Sequence, residues 1–90
     1  MKVSPNVDVI NRLGVHARAC ARLVKTTREF NAQVEVRAGQ HGCDGKSIMG
    51  LMMLAATQGT HICVTADGDD AQAAINQIKA LFANRFGEDE

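Results

Sequence analysis

Apolar and polar residues alternate from the start of the chain, where Val3, Pro5, Val7 and Val9 interleave with Lys2, Ser4, Asn6 and Asp8. A period of two predicts a strand buried on one face, and Pro5 restricts it to a sheet edge or an early strand position. From Ala17 the period lengthens. Cys20, Leu23, Val24 and Thr27 share one face of a helix expected to run to about Glu29, with Arg18, Arg22, Lys25 and Glu29 stacked on the opposite face. Phe30 and Asn31 end that helix, and alternation resumes with Ala32, Val34, Val36 and Ala38 set against Gln33, Glu35 and Arg37. Gly39 to Gly42 reads as a hairpin loop leading into a short third strand through Cys43 and Asp44.

Ser47 is a good N-cap for a short second helix ending near Leu54. Ile48, Met49, Leu51, Met52, Met53 and Leu54 give that helix more apolar surface than one buried face requires, and Gly50 weakens it internally. Met53 and Leu54 are expected in the core. Thr57-Gln58-Gly59 closes the helix, and Ile62, Val64 and Ala66 alternate with His61, Cys63 and Thr65 as a fourth strand. After the Asp67-Gly68 turn, Asp69 and Gln72 resemble a capping box. Ala71, Ala74, Ile75, Ile78, Phe82 and Phe86 then mark the buried face of a last helix, and the acidic residues after Gly87 are expected to be mobile.

The order is βαββαβα, an α+β arrangement. Four amphipathic strands pair as one antiparallel sheet, three helices cover its apolar face, and the other face is left to water: an open-faced β-sandwich. Periodicity leaves the order of the strands open. Residues 1–90 suffice for one domain with a modest core, not for two.

Composition narrows the function. Without Trp or Tyr and with only three Phe, the core must be aliphatic and the aromatic platforms of base-stacking modules are missing. Ten basic residues balance ten acidic ones, so no global field favours nucleic acid or an acidic membrane. Locally, basic residues gather between Arg12 and Arg28, and acidic ones in Asp67 to Asp70 and Glu88 to Glu90. Three cysteines outside any CxxC spacing argue against a disulfide framework and suit a reducing cytosol. With no apolar leader and no apolar stretch near twenty residues, a cytoplasmic protein is expected.

The stretch from Asn11 to Cys20 holds the candidate chemistry. Gly14 supplies a turn, His16 falls at a helix N-cap, and Ala17 opens the amphipathic run. A helix start has free N–H donors and a partial positive charge that stabilise an anion beside His16 while disfavouring imidazolium. Arg18 adds a planar cation suited to phosphate. The chemistry implied is reversible phosphorylation of His16. A metal site on His16 and Cys20 lacks further ligands, since His41 and His61 fall in other elements, and Cys20 belongs to the apolar face. A hydrolytic triad with its pocket exceeds what one layer of helices provides. A carrier needs only an exposed nucleophile, moderate phosphate stabilisation and a docking surface; it is not an enzyme and needs no cofactor.

Leu13-Gly14-Val15-His16-Ala17-Arg18, followed about thirty residues later by Lys46-Ser47-Ile48-Met49-Gly50-Leu51-Met52, resembles the HPr family of bacterial phosphotransferase-system phosphocarriers along essentially the whole chain. Many members have proline after the arginine. Ala19 stands here, keeping the helix without proline's preset φ. The resemblance implies strand order β1-β4-β2-β3, phosphorylation of His16 at its δ1 nitrogen by enzyme I, donation to a IIA-type protein, and a monomer without nucleic-acid or membrane partners. It implies a regulatory phosphorylation of Ser47 by HPr kinase/phosphorylase, compatible with an N-cap role. It places Ala17, Arg22, Ile48, Met49, Leu51 and Met52 on the docking surface, where exposed methionines suit several partners. The alternatives are a nitrogen-type regulatory carrier uncoupled from sugar transport and an interaction module without phosphotransfer.

Overall fold

The computed structural model describes residues 1–90. Strand β1 runs in two pieces, Lys2–Val3 and Asn6–Asp8, followed by helix α1 (Ala17–Thr27), β2 (Gln33–Ala38), β3 (His41–Asp44), α2 (Ile48–Leu54), β4 (His61–Asp67) and α3 (Ala71–Ala83). A single turn of 3-10 helix, Arg85–Gly87, follows α3. All strand pairs are antiparallel and the order is β1-β4-β2-β3, as the family resemblance implies.

Both pieces of β1 keep one register against β4, with Val3 opposite Ala66 and Val7 opposite Ile62. The break falls at Pro5, which has no N–H to donate but whose carbonyl still accepts from Val64 N–H at 3.0 Å. An edge strand tolerates this, which is the position Pro5 predicted. The hairpin is tighter than the sequence suggests. Ala38 pairs with His41, leaving only Gly39 and Gln40 in the turn, so β3 begins two residues before Cys43.

Alternation places Val34, Val36, Ile62, Val64 and Ala66 on the covered face, where they join Leu23, Leu51, Ile75 and Ile78 in one cluster of 21 buried residues. Each fully buried aliphatic side chain of this kind contributes about 1.5–3 kcal/mol. Phe82 and Phe86 close the end of the cluster edge to face, with ring centroids 4.8 Å apart. The opposite face is polar, with Gln33, Glu35, Arg37 and His61 exposed. Helix α1 packs against both α2 and α3.

Three local expectations are corrected. Helix α2 is closed by Ala55 in the left-handed region (φ 51°), ahead of the Thr57-Gln58-Gly59 turn. No capping box forms at α3: Asp70 is the N-cap, and its carboxylate instead accepts from Asn31 N–H and Ala32 N–H, both at 2.8 Å, tying α3 to the connection between α1 and β2. The acidic residues after Gly87 are not loose; they fold back onto the loop before α1.

Candidate functional site

The loop from β1 to α1 is shaped by Gly14. Its φ of +68° lies where side chains are strained, and a Cβ there would come within 2.5 Å of the Ala56 carbonyl oxygen. That close approach lets Val15 N–H donate to the same carbonyl at 2.8 Å, fixing the loop against the segment after α2. His16 follows in extended backbone (φ −84°, ψ −178°) as the N-cap of α1, and its carbonyl accepts the first helical bond from Cys20 N–H at 2.8 Å. No side chain caps this helix start. The N–H groups of its first turn are therefore free to face an anion.

The His16 ring is held rather than swinging. Its Nε2 is paired with Glu88 Oε2, and the two side chains are 28% and 13% exposed. The other oxygen, Glu88 Oε1, accepts from Asn11 Nδ2 at 2.9 Å, and the same amide reaches the Gly14 carbonyl at 2.7 Å. Asn11 Oδ1 is buried without a partner, a local cost of about 1–3 kcal/mol. Burial alone would raise the Glu88 carboxyl. The hydrogen bonds from Asn11 and His16 and the charges of His16 and Arg22 outweigh it and hold the group below the usual carboxylate range. An ionised carboxylate only accepts, so the proton of a neutral His16 sits on Nε2 and Nδ1 keeps its lone pair.

The residues after α3 are anchored at several points around this pair. Arg12 donates its N–H to the Glu90 carbonyl at 2.9 Å and its Nη1 to Glu90 Oε2 at 2.8 Å. Arg22 Nη1 donates to the Phe86 carbonyl. Arg22, expected on the docking surface, is exposed on α1 and uses one guanidinium N–H to hold this segment. Arg28 is likewise engaged, donating Nη2 to the Lys46 carbonyl at 3.2 Å. Ala17 and Arg18 are exposed in the first turn, and Arg18 makes no ion pair. Ala19 is fully buried there, and α1 starts at Ala17 without proline.

Ser47 caps α2 as expected, its Oγ accepting from Gly50 N–H at 3.0 Å. Gly50 is closely packed: a Cβ would lie 3.1 Å from Cys43 Cβ and 3.3 Å from Ser47 Oγ. Ile48, Met49 and Met52 are exposed. Leu51 is wholly buried, so its expected docking role falls away: it points into the core. Met53 departs the other way, 78% exposed where core packing was expected. Leu13, 67% exposed on the loop before His16, is a further apolar residue on the surface, part of the sequence motif but given no docking role there. Cys20 is buried and its thiol is pushed up, first by burial and then by the neighbouring Cys43 thiol, which suits a core residue.

The two residues missed are Asn11 and Glu88. Asn11 lay inside the singled-out stretch with no role given to it, and the only sign for Glu88 was an acidic cluster complementary in charge to the basic one.

Residues 3–84 match the family model described as PTS HPr component phosphorylation site. The chain is 48% identical over 85 residues to phosphocarrier protein HPr of Cupriavidus necator, covering 94% of this chain and 96% of that one. It is 36% identical over 87 residues to phosphocarrier protein NPr of Shewanella violacea, covering 97% and 96%. The crystal structure of HPr-C-His from Thermoanaerobacter tengcongensis superposes with a TM-score of 0.94 at 34% identity, covering 98% of this chain and 99% of that one.

Proposed function

The chain belongs to the HPr family and is a phosphocarrier of the phosphotransferase system, transferring a phosphoryl group through a phosphohistidine; within that role we propose that His16 is the carrier residue. The observation that supports this most is the placing of a half-buried imidazole at the uncapped start of α1, its Nε2 occupied by Glu88 and its Nδ1 free. The bare lone pair attacks phosphorus, and the incoming oxygens meet the N–H groups of the first turn. Arg18 adds a neighbouring positive charge. This stabilisation is moderate, as a carrier requires: one arginine and a helix start hold the group without trapping it.

Family membership implies enzyme I as donor and IIA-type proteins as acceptors in general. For both we propose one docking surface, made by Ala17 and the exposed Ile48, Met49 and Met52 of α2, whose thioethers repack against different partners. Ser47 adds a regulatory point beside that surface, a serine for HPr kinase/phosphorylase. The greater identity to HPr than to NPr favours the sugar-transport reading over the nitrogen-type one. Incubation with phosphoenolpyruvate and enzyme I should place an acid-labile, alkali-stable label on His16. A His16→Ala protein that still takes stoichiometric label would overturn the assignment.

A further inference from the structure

Residues 85–90 lie beyond the family match, which ends at residue 84, yet they supply the carboxylate that touches the His16 ring. We propose that Glu88 is a positioning residue for phosphoryl transfer: it keeps the ring proton on Nε2, leaves Nδ1 as the nucleophile, and balances the positive charge the ring gains on phosphorylation. This rests on the reading of His16 as the carrier.

The geometry is that of a base oriented by a third group. An ionised carboxylate has no proton to give, so a neutral imidazole beside it must donate from Nε2 and expose Nδ1. The carboxylate cannot drift easily, because Asn11 Nδ2 holds its second oxygen at 2.9 Å and Asn11 itself is buried. The chain is held on both sides of it, before it by Arg22 on the Phe86 carbonyl and after it by the Arg12 N–H on the Glu90 carbonyl and Arg12 Nη1 on the Glu90 side chain. Partial burial of both partners limits screening of the pair by salt.

The step balances without a proton transfer. The Nδ1 lone pair forms a bond to phosphorus while the donor's bond to phosphorus breaks and its electron pair returns to the donor atom. Nε2 keeps its proton, so His16 becomes a phosphorylated imidazolium whose charge lies against Glu88. On donation, the Nδ1–phosphorus bond breaks, its electron pair returns to Nδ1, and the ring leaves as the same neutral Nε2–H tautomer.

Two variants of the full chain separate the contributions. In 15N spectra at about pH 8.5, above the ordinary histidine range, the parent His16 should show a protonated Nε2 and a bare Nδ1. Glu88→Ala should move it towards a mixture and slow labelling by enzyme I and phosphoenolpyruvate about tenfold, less than loss of the orienting acid costs an enclosed catalytic triad. Glu88→Gln, which keeps an acceptor oxygen but not the charge, should retain the tautomer and still transfer more slowly. Retention of either the parent tautomer or the parent rate by Glu88→Ala overturns the proposal. If the parent takes no label on His16, the carrier reading fails instead, and the tautomer measurement still decides whether Glu88 governs the ring.

Discussion

Among the arginines of the loop and α1, Arg18 alone has no intramolecular partner; Arg12, Arg22 and Arg28 are taken by Glu90, the Phe86 carbonyl and the Lys46 carbonyl. A guanidinium left unpaired within one turn of His16, the proposed carrier residue, is available for an incoming charge. Arg18→Ala should therefore slow transfer while leaving the fold intact, since an exposed helical position accepts alanine at no cost in propensity. Loss of one charge-assisted contact amounts to about 1.5–3 kcal/mol, roughly a ten- to hundredfold slower rate. Equal rates to donor and acceptor, measured beside an unchanged Tm, would remove Arg18 from the mechanism. At this scale the sequence located the helix start that holds His16 and Arg18, because periodicity marks where the helix begins. It was silent on which cations are free. Arg22 and Arg18 look alike on a helical wheel, and only the path of residues 85–90 tells them apart.

Helix α2 shows what seven residues reveal and conceal. Its start was legible because a serine hydroxyl caps a helix beginning just after it, and the Oγ bond to Gly50 N–H bears that out. Which apolar side chains are buried was not legible. Two turns with nearly every position apolar give no phase, so Leu51 and Met53 could be assigned only once α1 and β3 were packed against the helix. The cap also separates stability from docking. Aspartate caps as well as serine, so Ser47→Asp should leave Tm nearly unchanged while slowing phosphorylation of His16 by enzyme I. The added negative charge sits next to exposed Ile48 and Met49, and desolvating it opposes association. Phosphorylation brings about −1.5 to −2 charges to the same place, so its effect should be larger. Equal labelling rates for Ser47→Asp and parent at low salt would refute this docking argument, and failure of HPr kinase to modify Ser47 would leave it a cap and nothing more.

For the whole molecule, period-two patterns gave four strands and their covered face, but the pairing of β1 with β4 joins residues some sixty positions apart, which no local pattern encodes. The same blindness hid the return of the acidic segment, since Gly87-Glu88-Asp89-Glu90 has no apolar residue to announce that it packs. Two carboxylates now join distant parts of the chain: Asp70 ties α3 to the α1–β2 connection, and Glu88 ties the segment after α3 to the loop that holds Asn11 and His16. Asp70 is held below the usual range first by the Asn31 N–H, which acts against burial, and then by the Ala32 N–H. Glu88 is lowered as well. Each group titrates lower in the folded than in the unfolded chain, so the unfolded chain binds more protons in acid. Their stabilisation is whole above the ordinary carboxylate pKa of about 4 and is lost as pH falls through the lower folded values. Tm followed by circular dichroism should accordingly drop as pH is taken from about 5 towards about 2. In a protein carrying both Asp70→Asn and Glu88→Gln, the curve should start lower and flatten, because neither site then gains a proton on unfolding. If that variant loses Tm as steeply as the parent across the same range, acid sensitivity arises elsewhere and these two ties do not govern it.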